Sequence, residues 1–381
     1  RKMTKHITLF HLKFGRFGGA EIYALQAAQA LTKQCKLTAV STNTPTYSPL
    51  VEGIPHYQVW RDSRAFTRLL KRAPRFFLKK RLAPFVDNTD MVVVAHMNLL
   101  VPVMAHARQK GKPVCLIAYG IDVWRTFSKP EEEALEDCAA VVALSRYTAE
   151  MVRQKLAKGQ EKVRVIHPMV DTTTFSPAPW EPPDIPRRIL TVSRLDAAER
   201  YKGHDLIIKA LPVLSRQLGC DISYTIVGDG NDRERLENVA SSSQVSSMVH
   251  FAGEIWSDER VAYYRNCHCF AMPSYVKKRS EHQWTGEGFG IAYAEAAACG
   301  KPLLACDRGG QRDIVYDGQN GILVEASSQD VERGLTSLLT NLDYARRLGR
   351  SGRQLVLERF TEECFTQAWH EVYKELVLHC T

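Results

Sequence analysis

The sequence predicts an α/β protein built from two doubly wound parallel-sheet domains, and three observations carry that expectation. Short apolar, β-rich runs alternate with amphipathic helical windows, the pattern of parallel strands joined by crossover helices. The alternation starts afresh near residue 188, after a stretch over 176–186 (SPAPWEPPDIP) that holds five prolines and no helical or strand periodicity. A chain of 381 residues, 45% hydrophobic and 24% charged, has the length and apolar content for two separate cores.

In the first half the strands are expected at residues 6–12, 37–41, 91–95, 114–118, 140–144 and 163–166. In the second half they fall at 188–192, 222–227, 249–251, 269–272, 302–305 and 321–324. The first strand runs into a glycine-bearing loop over 13–19 and then a helix over 20–32. At the carboxyl end, residues 361–378 place Phe365, Ala368, Trp369, Val372, Tyr373 and Leu376 at helical spacing. The expected organisation is a first domain over 1–175, a linker over 176–187, a second domain over 188–360 and a C-terminal helix over 361–381. Two such domains leave a central cleft between the carboxyl ends of their sheets, where ligands of doubly wound folds bind.

Several function classes are excluded early. The apolar run over 91–95 meets His96 and Asn98 well short of the roughly 20 residues of a spanning helix. The basic residues at 1–5 are followed by no apolar signal core, so a cytoplasmic location is expected. Ten cysteines are scattered without a C-x-x-C pair; Cys267-His268-Cys269 lies in an apolar run and reads as a buried strand with packing thiols.

Charge is unevenly divided. Residues 1–180 carry 27 Lys and Arg against 14 Asp and Glu, a net +13, whereas the remainder is −4. Much of the excess lies at 61–81, where basic residues interleave with Phe66, Leu69, Leu70, Phe76, Phe77 and Leu78, with Pro74 as a break. Such a segment suits peripheral contact with an anionic membrane, at its inner face, or an anionic acceptor; a solvated helix explains the pattern equally well. No nucleic-acid module accompanies it, so no nucleic-acid partner is expected.

The most informative stretch is E-G-F-G-I-A-Y-A-E at 287–295, which sets two carboxylates on either side of a Gly-Phe-Gly turn. If a helix begins at Ile291, its unpaired amides and positive dipole end face a ligand phosphate. Gly18 and Gly19, ahead of the first helix, allow close backbone approach to a ligand. Arg194 and Lys202, after the strand at 188–192, are two cations suited to a diphosphate, and a further loop, Gly228-Asp229-Gly230, follows the next strand.

Taken in order, these motifs resemble the family-4 retaining glycosyltransferases of GT-B fold over nearly the whole chain. They are G-G-A-E at 18–21, V-S-R-L at 192–195, K-G at 202–203, I-V-G-D-G at 226–230 and F-A-G at 251–253. M-P-S at 272–274, the 287–295 stretch, A-C-G-K-P at 298–302 and G-G at 309–310 complete the series. Each piece alone is weak; the ordered combination is specific.

The resemblance implies that the C-terminal helix over 361–381 packs back on the first domain, and it implies a role for each matched residue. Glu287 would hold hydroxyls of the donor sugar and Glu295 the ribose of a nucleotide-sugar. Arg194 and Lys202 would grip the diphosphate and stabilise its charge as the glycosidic bond breaks. Amides of Gly288, Phe289, Gly290 and Ile291 would bind the distal phosphate, Gly19 would reach the same phosphates, and the base would lie near Gly253 and Glu254. The leaving diphosphate would act as base for the acceptor hydroxyl, so no carboxylate need be a nucleophile, and an α-linked donor would give an α-glycoside. No Asp-x-Asp occurs to hold a metal–diphosphate complex, so neither metal nor cofactor is expected. The form of the 287–290 turn, with the preceding segment at 277–285, looks most like mannosyltransferases using GDP-mannose; UDP-sugar donors stay open, and the acceptor is a glycan or lipid-linked glycan.

One departure stands out. Many relatives have His before Gly in an H-G-x-D motif, where this chain has Tyr119-Gly120-Ile121-Asp122. Tyr119 would present its hydroxyl in place of the histidine; alternatively Tyr119 is a core aromatic and Asp122 a helix cap. His96 is either an acceptor contact or a satisfied polar residue near the core, and His167-Pro168 stands where relatives often have Asn-Gly. Two other classes remain alongside: a GT-B phosphorylase-like enzyme, and a non-catalytic nucleotide-sugar-binding, membrane-docking protein.

Overall fold

The computed structural model describes residues 5–12, 18–41, 53–59, 75–179, 184–255 and 257–378. The chain forms two compact units, Arg1–Pro168 with Glu363–Thr381, and Met169–Glu362.

In the first unit, β1 (His6–His11), β2 (Lys36–Ser41), β3 (His56–Gln58), β4 (Met91–Val94), β5 (Val114–Ala118), β6 (Ala140–Ala143) and β7 (Val163–Val165) form one sheet in the order β3-β2-β1-β4-β5-β6-β7. Every ladder in it is parallel. Strands β4, β5 and β6 are buried along their whole length, which is why MVVV, VCLIA and AVVA read as continuous apolar runs rather than alternating ones. The short edge strand β3 has no such run and escapes the sequence pattern. The helix Arg75–Asp87 continues through Pro84. Residues 61–74 of the basic segment, with Pro74, lie outside the described residues, and the membrane-surface reading of that stretch lies there with them.

The helix Glu362–Tyr373 carries the chain back into this unit. Phe365 and Trp369 are buried, with the Tyr23 ring 5.3 Å from Phe365 and 6.4 Å from Trp369. Glu375 pairs with Arg164 at 2.7 Å, and the His370 ring lies 3.1 Å from the Ala30 carbonyl.

The second unit holds β8 (Arg187–Val192), β9 (Ile222–Val227), β10 (Val249–Gly253), β11 (Cys269–Ala271), β14 (Leu303–Cys306) and β15 (Gly321–Val324), in the order β10-β9-β8-β11-β14-β15 and again all parallel. Between β11 and β14 an antiparallel hairpin, β12 (Lys277–Ser280) with β13 (Gln283–Thr285), forms its own two-stranded sheet. Residues from 169 onward belong here: the Val170 amide donates to the Phe360 carbonyl at 2.8 Å, and Arg353 donates to the carbonyls of Thr172 and Phe175 at 3.1 and 2.9 Å. Arg265 binds the Ser176 carbonyl and hydroxyl, both at 2.8 Å. The polypeptide thus changes unit between Pro168 and Met169, ahead of the proline-rich stretch.

Each sheet has one point where the winding reverses, between β1 and β4 in the first unit and between β8 and β11 in the second. The carboxyl ends of the strands at such a point form the ligand crevice of doubly wound sheets. Arg194 follows β8 after Ser193.

Candidate active site

In the second unit, the loop after β8 is set by backbone contacts with the glycine loop after β9. The Leu195 amide donates to Asp229 O at 3.0 Å and Leu195 O accepts from the Asp232 amide at 2.8 Å. A Cβ on Gly228 would lie 1.8 Å from Ser193 O, so the two loops close only because position 228 lacks one. Asp232, buried, takes Arg200 at 2.7 Å and Arg235 at 2.6 Å. Burial alone would raise its pKa; the two guanidiniums outweigh that and hold the carboxyl below its ordinary range. Asp232 thereby anchors the turn Ala197–Lys202 that delivers Lys202.

The ammonium of Lys202 lies 3.0 Å from Glu287 Oε2 and 3.9 Å from Glu199 Oε2. Burial opposes its charge, but Glu287 above all raises its pKa beyond the ordinary lysine value. Glu199 also pairs with the more exposed guanidinium of Arg194. The two cations expected from the sequence are therefore joined by a carboxylate that local pattern did not reveal.

The turn from Glu287 to Gly290 is held from beneath by the Gly309–Gly310 loop, where the Gly310 amide donates to Glu287 O at 2.8 Å. Gly290, at φ +94°, is the residue before the helix Ile291–Ala298; a side chain there would meet the Tyr293 ring at 2.5 Å. Among the described residues no side chain caps this helix, and of its first-turn amides that of Tyr293 donates to Gly290 O at 3.0 Å. Phe289 is buried against Phe360 at 5.6 Å between ring centroids and anchors the turn. Gly288, Phe289, Gly290, Ile291, Glu287 and Lys202 are thus brought together.

Glu295 lies four residues into the helix and is buried. Its Oε1 accepts from Arg260 at 3.2 Å and its Oε2 from the Tyr264 hydroxyl at 2.6 Å. Desolvation raises its pKa, with Arg260 and Tyr264 pulling the other way. Arg260 and Tyr264, four apart on the helix Ser257–Asn266, were not singled out from the sequence, although their spacing puts them on one face. Gly253, at φ +75°, gives its carbonyl to the Gly228 amide at 2.7 Å, and Glu254 beside it is exposed.

The first unit gathers a second group at the carboxyl ends of β4 and β5. Asp122 Oδ1 accepts the amides of Tyr119 and Gly120 at 3.1 and 2.8 Å, capping a turn rather than a helix. Its Oδ2 and the Tyr119 hydroxyl are both buried with no hydrogen-bond partner among the described residues. The Tyr119 ring stands edge-on to His11 and Tyr23, 6.1 Å from each, and the residue is half-buried with its hydroxyl enclosed. Its pKa is raised well above the ordinary value, by burial first and by Asp122 next. His96 accepts the Asn98 amide on Nδ1 at 3.1 Å and caps the helix Met97–Ala107; burial lowers its pKa despite the nearby Asp122 charge. Gly18 and Gly19 open the helix Gly19–Thr32, with the Glu21 carboxylate folded back over Gly18.

Beside the Lys202 turn, His204 is buried with Nε2 2.8 Å from Ser193 Oγ. Burial, with help from Lys202, draws its pKa down to about 3. The unfolded chain therefore binds a proton that the folded chain refuses between about pH 6.5 and 3, and this part of the stability is complete above that window and lost as pH falls through it. Urea unfolding at pH 5 is expected to give about 2 kcal/mol less stability than at pH 7 from this residue, a difference absent in His204→Asn.

The sequence pattern described as Glycosyl transferases group 1 matches residues 173–355, and that of Glycosyltransferase Family 4 matches residues 17–174. The chain belongs to the family-4 glycosyltransferases. Among curated relatives of this glycosyltransferase is one from Mycolicibacterium smegmatis, described as a GDP-mannose-dependent alpha-(1-6)-phosphatidylinositol monomannoside mannosyltransferase. It is 27% identical over 372 residues, 91% of this chain and 92% of that protein. A Mycobacterium tuberculosis protein of the same description is 32% identical over 195 residues, half of each chain. Among solved structures, HepE from Anabaena in complex with UDP matches the glycosyltransferase with a TM-score of 0.78 at 19% identity, covering 98% and 100% of the two chains. Sucrose-phosphate synthase from Thermosynechococcus elongatus gives 0.77 at 20% identity, covering 99% and 100%. These likenesses show the fold to be GT-B, two parallel-sheet α/β domains. No helix among the described residues is long and apolar enough to cross a membrane.

Proposed function

We propose that this glycosyltransferase moves a hexose from a nucleotide-sugar to a hydroxyl of a glycan or glycolipid, with retention of configuration, α-linkage and no metal. The observation that carries the reading is the Lys202 ammonium 3.0 Å from Glu287, where the Gly288–Gly290 backbone opens a helix. A diphosphate placed on that helix end meets the amides of Gly288, Phe289, Gly290 and Ile291 and two cations, Lys202 and Arg194, with Arg194 leaving Glu199 to do so. Glu287, fixed from behind by Gly310, holds sugar hydroxyls against the reacting carbon. Glu295, buried on Arg260 and Tyr264, offers its remaining lone pairs to the ribose, and Gly253 and Glu254 flank the base.

The bond from the anomeric carbon to the phosphate oxygen breaks as the acceptor oxygen bonds on the same face. The acceptor proton passes to the departing phosphate oxygen, and Lys202 and Arg194 take up the charge. In the first unit, Gly18 and Gly19 at the helix start are assigned to the donor phosphates, and Tyr119, Asp122 and His96 to the sugar and acceptor side of the reaction.

GDP-mannose is the first donor to test, because the Mycolicibacterium smegmatis relative is described as using it; UDP-glucose is the second, because HepE has been solved in complex with it. A lipid-linked or otherwise anionic acceptor suits the +13 first half, with residues 61–81 meeting an anionic membrane at its cytoplasmic face. The experiment is a thermal-shift screen against GDP, UDP, ADP and their sugars, followed by transfer from the stabilising donor to a lipid or glycan extract and proton NMR of the product. An α-configured product supports the proposal and a β-configured one contradicts it. Phosphate-dependent turnover without nucleotide would instead mark a phosphorylase, and nucleotide binding with no transfer a non-catalytic protein.

A further inference from the structure

The second unit contains a cavity on the edge of its sheet opposite the Lys202 turn. It has a volume of about 240 Å³ and lies at the amino ends of β11 and β14, where His268 and Lys301 line it. The far wall is the helix Leu342–Arg359, which presents Arg346, Arg350 and Arg353 to the same space. That helix comes close because position 349 is glycine: a Cβ there would lie 1.9 Å from Gly300 O.

Among the described residues the lining is cationic and holds no carboxylate. Two of its cations are already committed: Arg353 donates to three backbone carbonyls, and Arg346 pairs with Asp343 at 3.0 Å and Asp184 at 3.7 Å. Lys301 and Arg350 have no hydrogen-bond or ion-pair partner for their side chains among the described residues. The thiols of Cys267 and Cys299 add no negative charge, since burial pushes their pKa values up to about 11 and about 12.

His268 lines the same space as a neutral ring. Its Nδ1 accepts the Arg188 amide at 2.9 Å, so in the neutral ring the proton sits on Nε2. That Nε2 is buried and has no partner among the described residues. Burial first, then Arg187, Arg188 and Lys301, lower the pKa of this ring to about 4, so the neutral tautomer is the one present near neutral pH. A lining that gathers two uncommitted cations, Lys301 and Arg350, around one space calls for an anion. At about 240 Å³ the space is below the roughly 300 Å³ of pockets for drug-sized ligands, so it admits a small anion and not a whole nucleotide-sugar.

We propose that this cavity binds a phosphate group, as inorganic phosphate or a small phosphomonoester, held by Lys301 and Arg350. The site is separate from the donor site and does not depend on the reading of that site.

The test is calorimetric titration of the full chain with inorganic phosphate and with glycerol 3-phosphate, run on wild type, Lys202→Ala and the double variant Lys301→Ala/Arg350→Ala. Saturable binding is expected in wild type and Lys202→Ala, weakened about tenfold or more in the double variant. The tighter of the two probes tells inorganic phosphate from an ester. Lys301→Arg/Arg350→Lys, which keeps both charges, should retain binding, and circular dichroism on every variant checks folding. No saturable binding in wild type, binding kept by the double variant but lost in Lys202→Ala, or equal weakening by both would overturn the proposal.

Discussion

Lys202→Ala is expected to lower kcat by about 10²–10³-fold, the loss seen when one preorganised group aimed at developing charge is removed. The ammonium is held 3.0 Å from Glu287 with its side chain only 11% exposed, so water does not replace it at comparable strength. The effect should fall on kcat more than on KM, because the diphosphate charge it meets grows as the glycosidic bond breaks. The substitution also leaves Glu287 without its cation in a half-enclosed site, so a lower urea midpoint should accompany the kinetic loss. Steady-state kinetics normalised to the folded fraction, read by circular dichroism at the assay temperature, separate the two effects, since an unfolded fraction also lowers the apparent kcat without changing KM. An unchanged kcat would remove Lys202 from the leaving-group role.

Gly310→Ala should act on the same site from behind. A Cβ at this position would lie 2.0 Å from Gly288 O and 2.7 Å from the Phe289 amide nitrogen, both of them backbone atoms of the donor turn. The contact is relieved only by moving that turn away from the Gly309–Gly310 loop, which also stretches the 2.8 Å hydrogen bond from the Gly310 amide to Glu287 O. A displacement on the order of 1 Å at a positioned catalytic group costs about 10²-fold in rate, and overpacking of this kind costs about 1–3 kcal/mol in stability. Donor titration, transfer rate and urea unfolding should all show the change, whereas Gly318→Ala, at φ +68° in open space, should leave transfer alone.

The features legible in the sequence are those whose cause is local. Continuous apolar runs mark β4, β5 and β6 because both faces of these strands are covered, and the Gly-Phe-Gly turn marks the start of the helix Ile291–Ala298 because the backbone there needs glycine. The G-G at 309–310 is visible as a motif, but its task of supporting Glu287 emerges only when the two loops meet. Glu199, Asp232, Arg260 and Tyr264 are invisible in the same way. Each is an ordinary residue on a helix or turn; Asp232, Arg260 and Tyr264 matter through a partner brought to them by the sheet, and Glu199 through the bend that sets Arg194 and Lys202 on either side of it. The hairpin β12–β13 and the edge strand β3 have too few apolar residues to announce themselves. The change of unit at Pro168/Met169 is set by Arg353 and Phe360, nearly two hundred residues further along, and not by the prolines that draw the eye.

The central claim is that the turn over 287–290, together with Lys202, is the diphosphate grip of a nucleotide-sugar site. Calorimetric titration of GDP and UDP into wild type and Lys202→Ala tests it most directly. Saturable binding of at least one nucleotide by wild type, weakened about tenfold or more by the substitution, is the predicted result. Equal affinity in the two proteins, or no nucleotide binding by the folded wild type, would contradict it.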